Sequence, residues 1–304
     1  MSGVITTTNF AKLLWPGINA IYGNAYKDYP EEWTKLGFEQ NKSTRAYEED
    51  VGVSSFGLAS VKTEGGPISY DTERQAFTTR YNHVVYALGF IITREMYEDD
   101  QYSYIGKRKA TALARSMRMT KEIVAANIFN RAVTSGYTGG DGVVLLSASH
   151  PNVAGGTWSN LLSTASDLSE AALEQASIDI AALKDDRGLL IAVKPKMLHI
   201  HPSNQFEAKR ILGADGRVGT DLNDPNALKT MGIIPGVNVN HYFTDSDAWF
   251  ITTDIPDGLK YFERRGDQFE MDNDFDTENA KYKATSRYAF GWTDPRCIFG
   301  SMGA

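Results

Sequence analysis

Two histidines separated by one residue, His199 and His201, fall at the end of the run Met197 to His201. In an extended strand both imidazoles project from one face, the spacing a bound metal uses. A third ligand has to come from elsewhere; His241 is available, but nothing in the sequence places it beside the pair. Two histidines on a half-buried strand face are the simpler reading. Asp272, Asp274, Asp276 and Glu278 also alternate, and an extended backbone would line one face with four carboxylates. A calcium loop of the EF-hand type needs glycine at its sixth position and glutamate at its twelfth, where this chain has Thr277 and Lys283. That leaves a looser divalent-ion site set against a solvated acidic bend. Ser149 beside His150 is no catalytic pair, because neighbours in a strand point to opposite faces and no nucleophile-elbow pattern surrounds them. The glycine-rich stretch Ser135 to Gly142 lacks a following Lys-Ser or Lys-Thr and comes after a helix, so it is not a P-loop. Gly213, Gly216 and Gly219 do not have dinucleotide spacing. The chain offers no set of acid, base and nucleophile, which counts against an enzyme, and no cofactor is expected.

The elements that carry these residues are more informative. Residues 1–49 combine Trp15, Tyr22, Tyr26, Tyr29 and Trp33 with Pro16, Gly17, Pro30 and Gly37, which predicts an extended arm with short helical turns lying against another surface. Residues 50–95 form two strands flanking a loop, with Glu64, Gly65, Gly66 and Pro67 as the turn signal. Phe77, Thr79, Tyr81, His83 and Val85 share one face of the returning strand, and neither face is apolar enough to make a core. Such a ribbon is marginal alone and has to rest on other chains or move. From Glu98 to Val133 the pattern predicts one long helix with a stripe of Leu113, Met117, Val124 and Ile128, Ile123 beside it, and a solvated basic flank that includes Arg118 and Lys121. After Leu168 the texture alternates. Ser169 caps a helix carrying Leu173, Ala176, Ile180 and Leu183 as far as Gly188, Ser203 to Leu212 is a second helix, and strands fall at 197–201, 237–243, 248–252 and 259–263. The clearest strand is the last, with Tyr282, Ala284, Ser286, Tyr288, Phe290 and Trp292 on one face.

Composition sets the outer bounds. The 304 residues are 42% hydrophobic and 23% charged, a folded protein of one large domain or two sub-domains. A net charge of -7 has the wrong sign for a surface that coats nucleic acid. Cys297 is the single cysteine, which rules out an internal disulfide and a multi-thiolate zinc site, and fits a cytosolic protein. Neither a signal sequence nor an apolar run long enough to span a bilayer is present in the sequence.

Local sequence and order of parts together resemble one family. Phe129-Asn130-Arg131-Ala132 runs into Ser135-Gly136-Tyr137 and Gly139-Gly140-Asp141-Gly142, followed by Leu145 to Pro151 with Ser149-His150-Pro151. Near the end stand Arg287-Tyr288-Ala289-Phe290-Gly291-Trp292 and Asp294-Pro295-Arg296. These segments resemble the HK97-like major capsid proteins of tailed phages, in particular major head subunits of the Mu-like type. The resemblance implies an α+β fold with an N-terminal arm (1–49), an extended β-hairpin loop and its base strands (50–95), a spine helix and peripheral domain (96–167), an axial domain (168–260) and return strands of the peripheral domain (261–304). It implies self-assembly as hexamers and pentamers into an icosahedral shell around packaged double-stranded DNA, held non-specifically, in a virion assembled in the host cytoplasm. A separate scaffold protein, a portal and a decoration protein are the implied partners, the first because the chain begins almost directly with the arm. The residues expected to touch neighbouring subunits are Trp15 and Tyr22 on the arm and Lys62, Arg74 and Arg80 on the loop. Some relatives crosslink a loop lysine to a neighbour's asparagine; Lys62 is the only lysine near the loop tip here, and one lysine is weak ground for that chemistry. The competing readings are an encapsulin-like compartment on the same fold and a metal-dependent hydrolase using His199 and His201 or the acids at 272–278.

Overall fold

The computed structural model describes residues 11–98, 102–216, 225–274 and 279–304. The described chain opens with an 18-residue helix, α1 (Ala11–Asp28), where the pattern predicts an extended arm with only short turns. Pro16, Gly17 and Gly23 weaken the local propensity, but Ile18, Tyr22 and Ala25 recur at helical spacing and are buried with Leu113, Met117 and Phe269. Tertiary burial of that stripe outweighs propensity costs of about 1 kcal/mol for a glycine. A 3₁₀ turn, Trp33–Leu36, follows and ends at Gly37 with φ of 89°. Then come β1 (Glu39–Lys42), β2 (Tyr47–Val53), the extended loop, β3 (Gln75–Asn82) and β4 (Val84–Ile92).

A short helix, α2 (Arg94–Glu98), leads to the long one, α3 (Tyr102–Asn130). Its buried face is Ala110, Leu113, Ala114, Met117, Ala125, Ala126 and Phe129. The predicted stripe departs from this after Met117: Val124 and Ile128 are half-buried and Ile123 is exposed. The buried face runs instead through Arg118, Lys121 and Glu122, so the basic flank is not wholly solvated.

The hairpin β5 (His150–Pro151) and β6 (Thr157–Trp158) precedes α4 (Glu170–Ala181). As predicted, the Ser169 hydroxyl accepts the Ala172 N–H at 3.2 Å, and Leu173, Ala176, Ile180 and Leu183 are buried. The helix ends at Ala181; Gly188, with φ of 81°, serves the turn beyond it. There follow β7 (Pro195–Ile200), α5 (Gln205–Gly213), α6 (Ala227–Met231), β8 (Val237–Val239) and β9 (Trp249–Thr253). β8 stops short of the predicted 237–243 because the Asn240 side chain accepts the Tyr242 N–H at 2.9 Å and turns the chain. The last strands are β10 (Leu259–Asn273), β11 (Ala280–Trp292) and β12 (Ile298–Ser301).

Two four-stranded sheets organise the described residues. One has the order β1-β10-β11-β4 and the other β12-β9-β7-β8. In the first, Tyr282, Ala284, Ser286, Tyr288 and Trp292 of β11 are buried in the predicted alternation, with Lys281 and Lys283 exposed. β12 lies in the expected return segment 261–304, yet it pairs with β9 and closes the edge of the second sheet. Phe299 thereby enters the core of Leu173, Ile180, Leu198, Ile200 and Trp249. A second core centres on Phe129, with Trp33, Leu36, Phe38, Phe250 and Tyr288 around it. No helix among the described residues is long and apolar enough to cross a membrane.

Candidate assembly surface

Residues 54–74, between β2 and β3, form the extended loop, and its legs are tied by a ladder of polar contacts instead of strand pairing. The Ser54 N–H donates to the Arg74 carbonyl at 2.9 Å, and the Arg74 N–H returns a bond to the Ser54 hydroxyl at 2.8 Å. Further out, the Gly57 N–H donates to Asp71 at 2.8 Å, the Ser60 and Ser69 hydroxyls meet at 2.7 Å, and a turn closes from the Gly66 N–H to the Thr63 carbonyl at 3.0 Å. This ladder leaves the apolar side chains outside. Leu58 is 83% exposed, Val61 96% and Tyr70 93%, with Phe56 and Ile68 also exposed. Five large apolar side chains exposed within the one loop of residues 54–74 mark a surface meant to be covered.

The root of the loop is fixed to the body. Tyr81 is buried, and its hydroxyl meets Thr293 at 2.7 Å. Gly291 admits the ring, since a Cβ there would lie 2.7 Å from Tyr81 Cε1. The Thr293 hydroxyl donates to Asp50 at 2.7 Å, and the Lys260 ammonium bonds the same carboxylate while also reaching Asp257 at 2.8 Å. Burial opposes the charge on Asp50, but Lys260 and Thr293 more than offset it and hold the carboxyl below its ordinary range.

The sequence-predicted contacts separate into distinct groups. Lys62 and Arg74 are exposed on the loop. Arg80 lies over the Tyr47 ring at 3.6 Å and 3.8 Å from Glu49, held against its own hairpin. Tyr22 is 4% exposed, stacked on Phe269 with its hydroxyl donating to Asp267, so it belongs to the core of its own chain. The side chain of Trp15 lies outside the described residues.

The candidate metal residues do not converge. His199 is fully buried, with Nε2 3.1 Å from the Thr252 hydroxyl and Nδ1 3.2 Å from the Asn238 amide nitrogen. Desolvation pushes its pKa down to about 3, which keeps it neutral. His201 lies beyond the end of β7, where its Nδ1 accepts the Ser203 N–H at 3.2 Å and starts a 3₁₀ turn. Asp272 pairs in register with Lys281, Asp274 takes the Lys281 ammonium at 2.6 Å, and Asp276 and Glu278 lie outside the described residues. His150 sits 2.7 Å from Asp141 and stacks on Trp158, which commits the ring to packing.

A buried polar junction between arm and long helix is absent from the sequence reading. Glu122 accepts the Trp33 N–H at 2.8 Å and the Glu32 N–H at 3.3 Å, its carboxylate satisfying two backbone donors at the start of the 3₁₀ turn. Burial pushes its carboxyl up to about 7. Lys121 lies over the rings of Trp33 at 4.3 Å and Tyr261 at 4.5 Å, and burial pushes its ammonium down. Arg118 pairs with Glu31. Helical spacing alone marks 118 and 121 as a charged flank; only the aromatic residues of the arm and β10 turn that flank inward.

Arm, ribbon, long helix, a second sheet inserted after the helix and a long final hairpin make this an HK97-like capsid fold. The capsid of a native GTA particle matches 91% of this chain over 91% of its own at TM-score 0.56 and 15% identity. The procapsid of bacteriophage JBD30 matches 98% of this chain over 76% of its own at TM-score 0.53 and 13% identity. Microbacterium phage Oxtober96 gives TM-score 0.53 and 10% identity over 91% of this chain and 93% of its own. These likenesses establish the fold. Residues 75–300 match the phage capsid protein family, and the chain belongs to it. No curated protein matches the chain in sequence. It is a shell-forming structural protein of a virion capsid.

Proposed function

We propose that this chain is the major head subunit of a tailed phage, of the Mu-like type, and that it closes an icosahedral shell from hexamers and pentamers around double-stranded DNA. The observation that carries the reading is the extended loop, whose Leu58, Val61 and Tyr70 have almost no cover within their own subunit. Laid over a neighbour, the loop buries that surface, and repetition around a shell turns modest contacts into a stable container. The net charge of -7 suits a wall that holds its DNA weakly, since strong phosphate neutralisation opposes both packing and release. A separate scaffold protein, a portal and a decoration protein complete this assembly, which takes place in the host cytoplasm. Division into an arm (1–49), a loop (50–95), a peripheral body (96–167 with 261–304) and an axial domain (168–260) belongs to the same reading, with β12 as the crossing between the two bodies. Electron microscopy of the purified protein tests it. Uniform shells or capsomers are expected; a compact monomer or dimer that never assembles overturns it.

A further inference from the structure

Residues 184–190 form a turn in which three successive side chains have separate tasks. Asp185 builds the turn: its carboxylate accepts the N–H groups of Arg187 at 2.9 Å and Leu189 at 2.8 Å, while Lys184 and Leu190 pair across it. Asp186 anchors the turn to the body by taking the Arg296 guanidinium at 3.1 Å. Arg296 is itself buried, donates to the Lys184 carbonyl and Asn152 at 3.1 Å each, and lies 4.5 Å from the centre of the Trp158 ring. Arg187 then reaches out of this anchored turn to the extended loop. Its Nη1 lies 2.8 and 3.1 Å from the two Asp71 oxygens, and its Nη2 donates to the Thr72 carbonyl at 2.6 Å.

Asp71 is also the rung that ties the two legs of the loop, accepting the N–H groups of Gly57 and Thr72 at 2.8 Å each. The position opposite is glycine, and a Cβ at Gly57 would lie 3.2 Å from the Asp71 oxygen, tighter than ordinary contact, and 3.4 Å from Arg187 Nη1. Both legs of the loop and the axial body therefore meet at one fork-shaped contact.

We infer that Arg187 is a positioning residue for shell assembly: it mounts the extended loop on its own subunit at a fixed pitch, so that the apolar surface beyond Asp71 meets the neighbour at one angle. Arg187 and Asp71 both remain partly exposed, so the contact contributes little to the fold. Its effect is to restrict the loop's orientations before a neighbour arrives, which lowers the ordering cost of each contact and is repeated in every subunit. An ion pair this exposed is screened by salt, so the mount weakens as ionic strength rises.

The inference about assembly rests on the shell reading; the part about the free subunit does not. Hydrogen exchange of amides 54–74 in unassembled full-length protein tests the latter. In the parent, loop protection is expected to fall with rising salt; Arg187→Ala is expected to speed exchange across both legs several-fold with no change in β10 and β11, and to remove that salt dependence. Gly57→Ala, which crowds the same pair without removing a charge, is expected to act in the same direction. Unchanged loop exchange in both variants overturns the mount. In particles imaged by cryo-electron microscopy, Arg187→Ala is expected to broaden the size distribution and Arg187→Lys to broaden it less. Faster assembly of Arg187→Ala into uniform shells overturns the inference, because it makes the contact a restraint. Failure of the parent protein to form particles sinks the shell reading and leaves the exchange result to stand by itself.

Discussion

The N-terminal arm and the extended loop have similar sequences in one respect: both mix aromatic and apolar residues with glycine and proline. Their fates are opposite. The arm turns inward. Tyr22, Trp33, Leu36 and Phe38 are all nearly inaccessible, and the Trp33 ring sits 4.8 Å from Tyr261 and 5.6 Å from Phe290. The loop keeps Phe56, Leu58, Val61, Ile68 and Tyr70 outside. What separates them is the presence of a receptor within the same chain. The long helix and β10 offer the arm both apolar surface and a carboxylate, Glu122, that accepts its backbone N–H groups. Among the described residues, the loop's side-chain hydrogen bonds to the body come from Arg187, which holds Asp71 and Thr72 and leaves Leu58, Val61 and Tyr70 bare.

Substitutions of equal size in the two segments should therefore act on different properties. The largest effect on the isolated subunit is expected from Trp33→Ala, which empties a core site and should cost about 3–5 kcal/mol in denaturant unfolding. A cost under about 1 kcal/mol would mean that the arm is not docked in solution. Tyr22→Phe is next. Removing the hydroxyl leaves Asp267 buried without its donor, and a loss of about 1–3 kcal/mol is expected, read from the shift in urea midpoint.

Glu122→Gln sharpens the comparison through pH. The Glu122 carboxyl titrates near 7 in the fold against 4.5 as its ordinary value, so the native state binds more protons over that interval. Stability from this group is thus full below about pH 4.5 and declines as pH rises through 7, by an amount on the order of 3 kcal/mol. The glutamine variant should lose this slope and unfold at least as high as the parent at pH 8. His199 supplies the opposite slope: with its pKa pushed down to about 3, stability declines as pH falls from 6.5 toward 3. Measured melting curves across pH 4–8 in the two backgrounds separate these contributions.

The smallest effect on folding, and the largest on association, is expected in the loop. Val61→Ser combined with Tyr70→Ser should change subunit stability by no more than about 0.5 kcal/mol while sharply reducing the yield of assembled particles seen by sedimentation. If instead the double variant unfolds much more easily, the loop is packed on its own subunit and the distinction between the two segments fails.

Where a strand or helix is long and buries one side, its pattern was readable. β11 shows its alternation from Tyr282 to Tyr288 and loses it beyond, where Ala289 is buried and Phe290 half-buried, and α4 announces itself through Ser169 and the spacing of Leu173, Ala176 and Ile180. Periodicity reports exposure of a single element and is blind to what lies opposite. That is why Arg118 and Lys121 read as solvated flank, and why Glu122 and the Asp185-Asp186-Arg187 turn carried no signal. The same blindness made His199 and His201 look like a pair. Strand geometry aligns them only while the strand continues, and Pro202 ends it there.

Sequence by itself determined the long helix, most of β11, the acidic balance and a loop set between two strands, because each follows from local composition and period. Tertiary structure alone decided which exposed-looking residues are covered. Burying Tyr22 and Glu122, moving β12 into the second sheet and joining Arg187 to Asp71 each depend on residues far apart in the chain meeting in space. Burial is a property of that meeting, and no window along the sequence contains both partners.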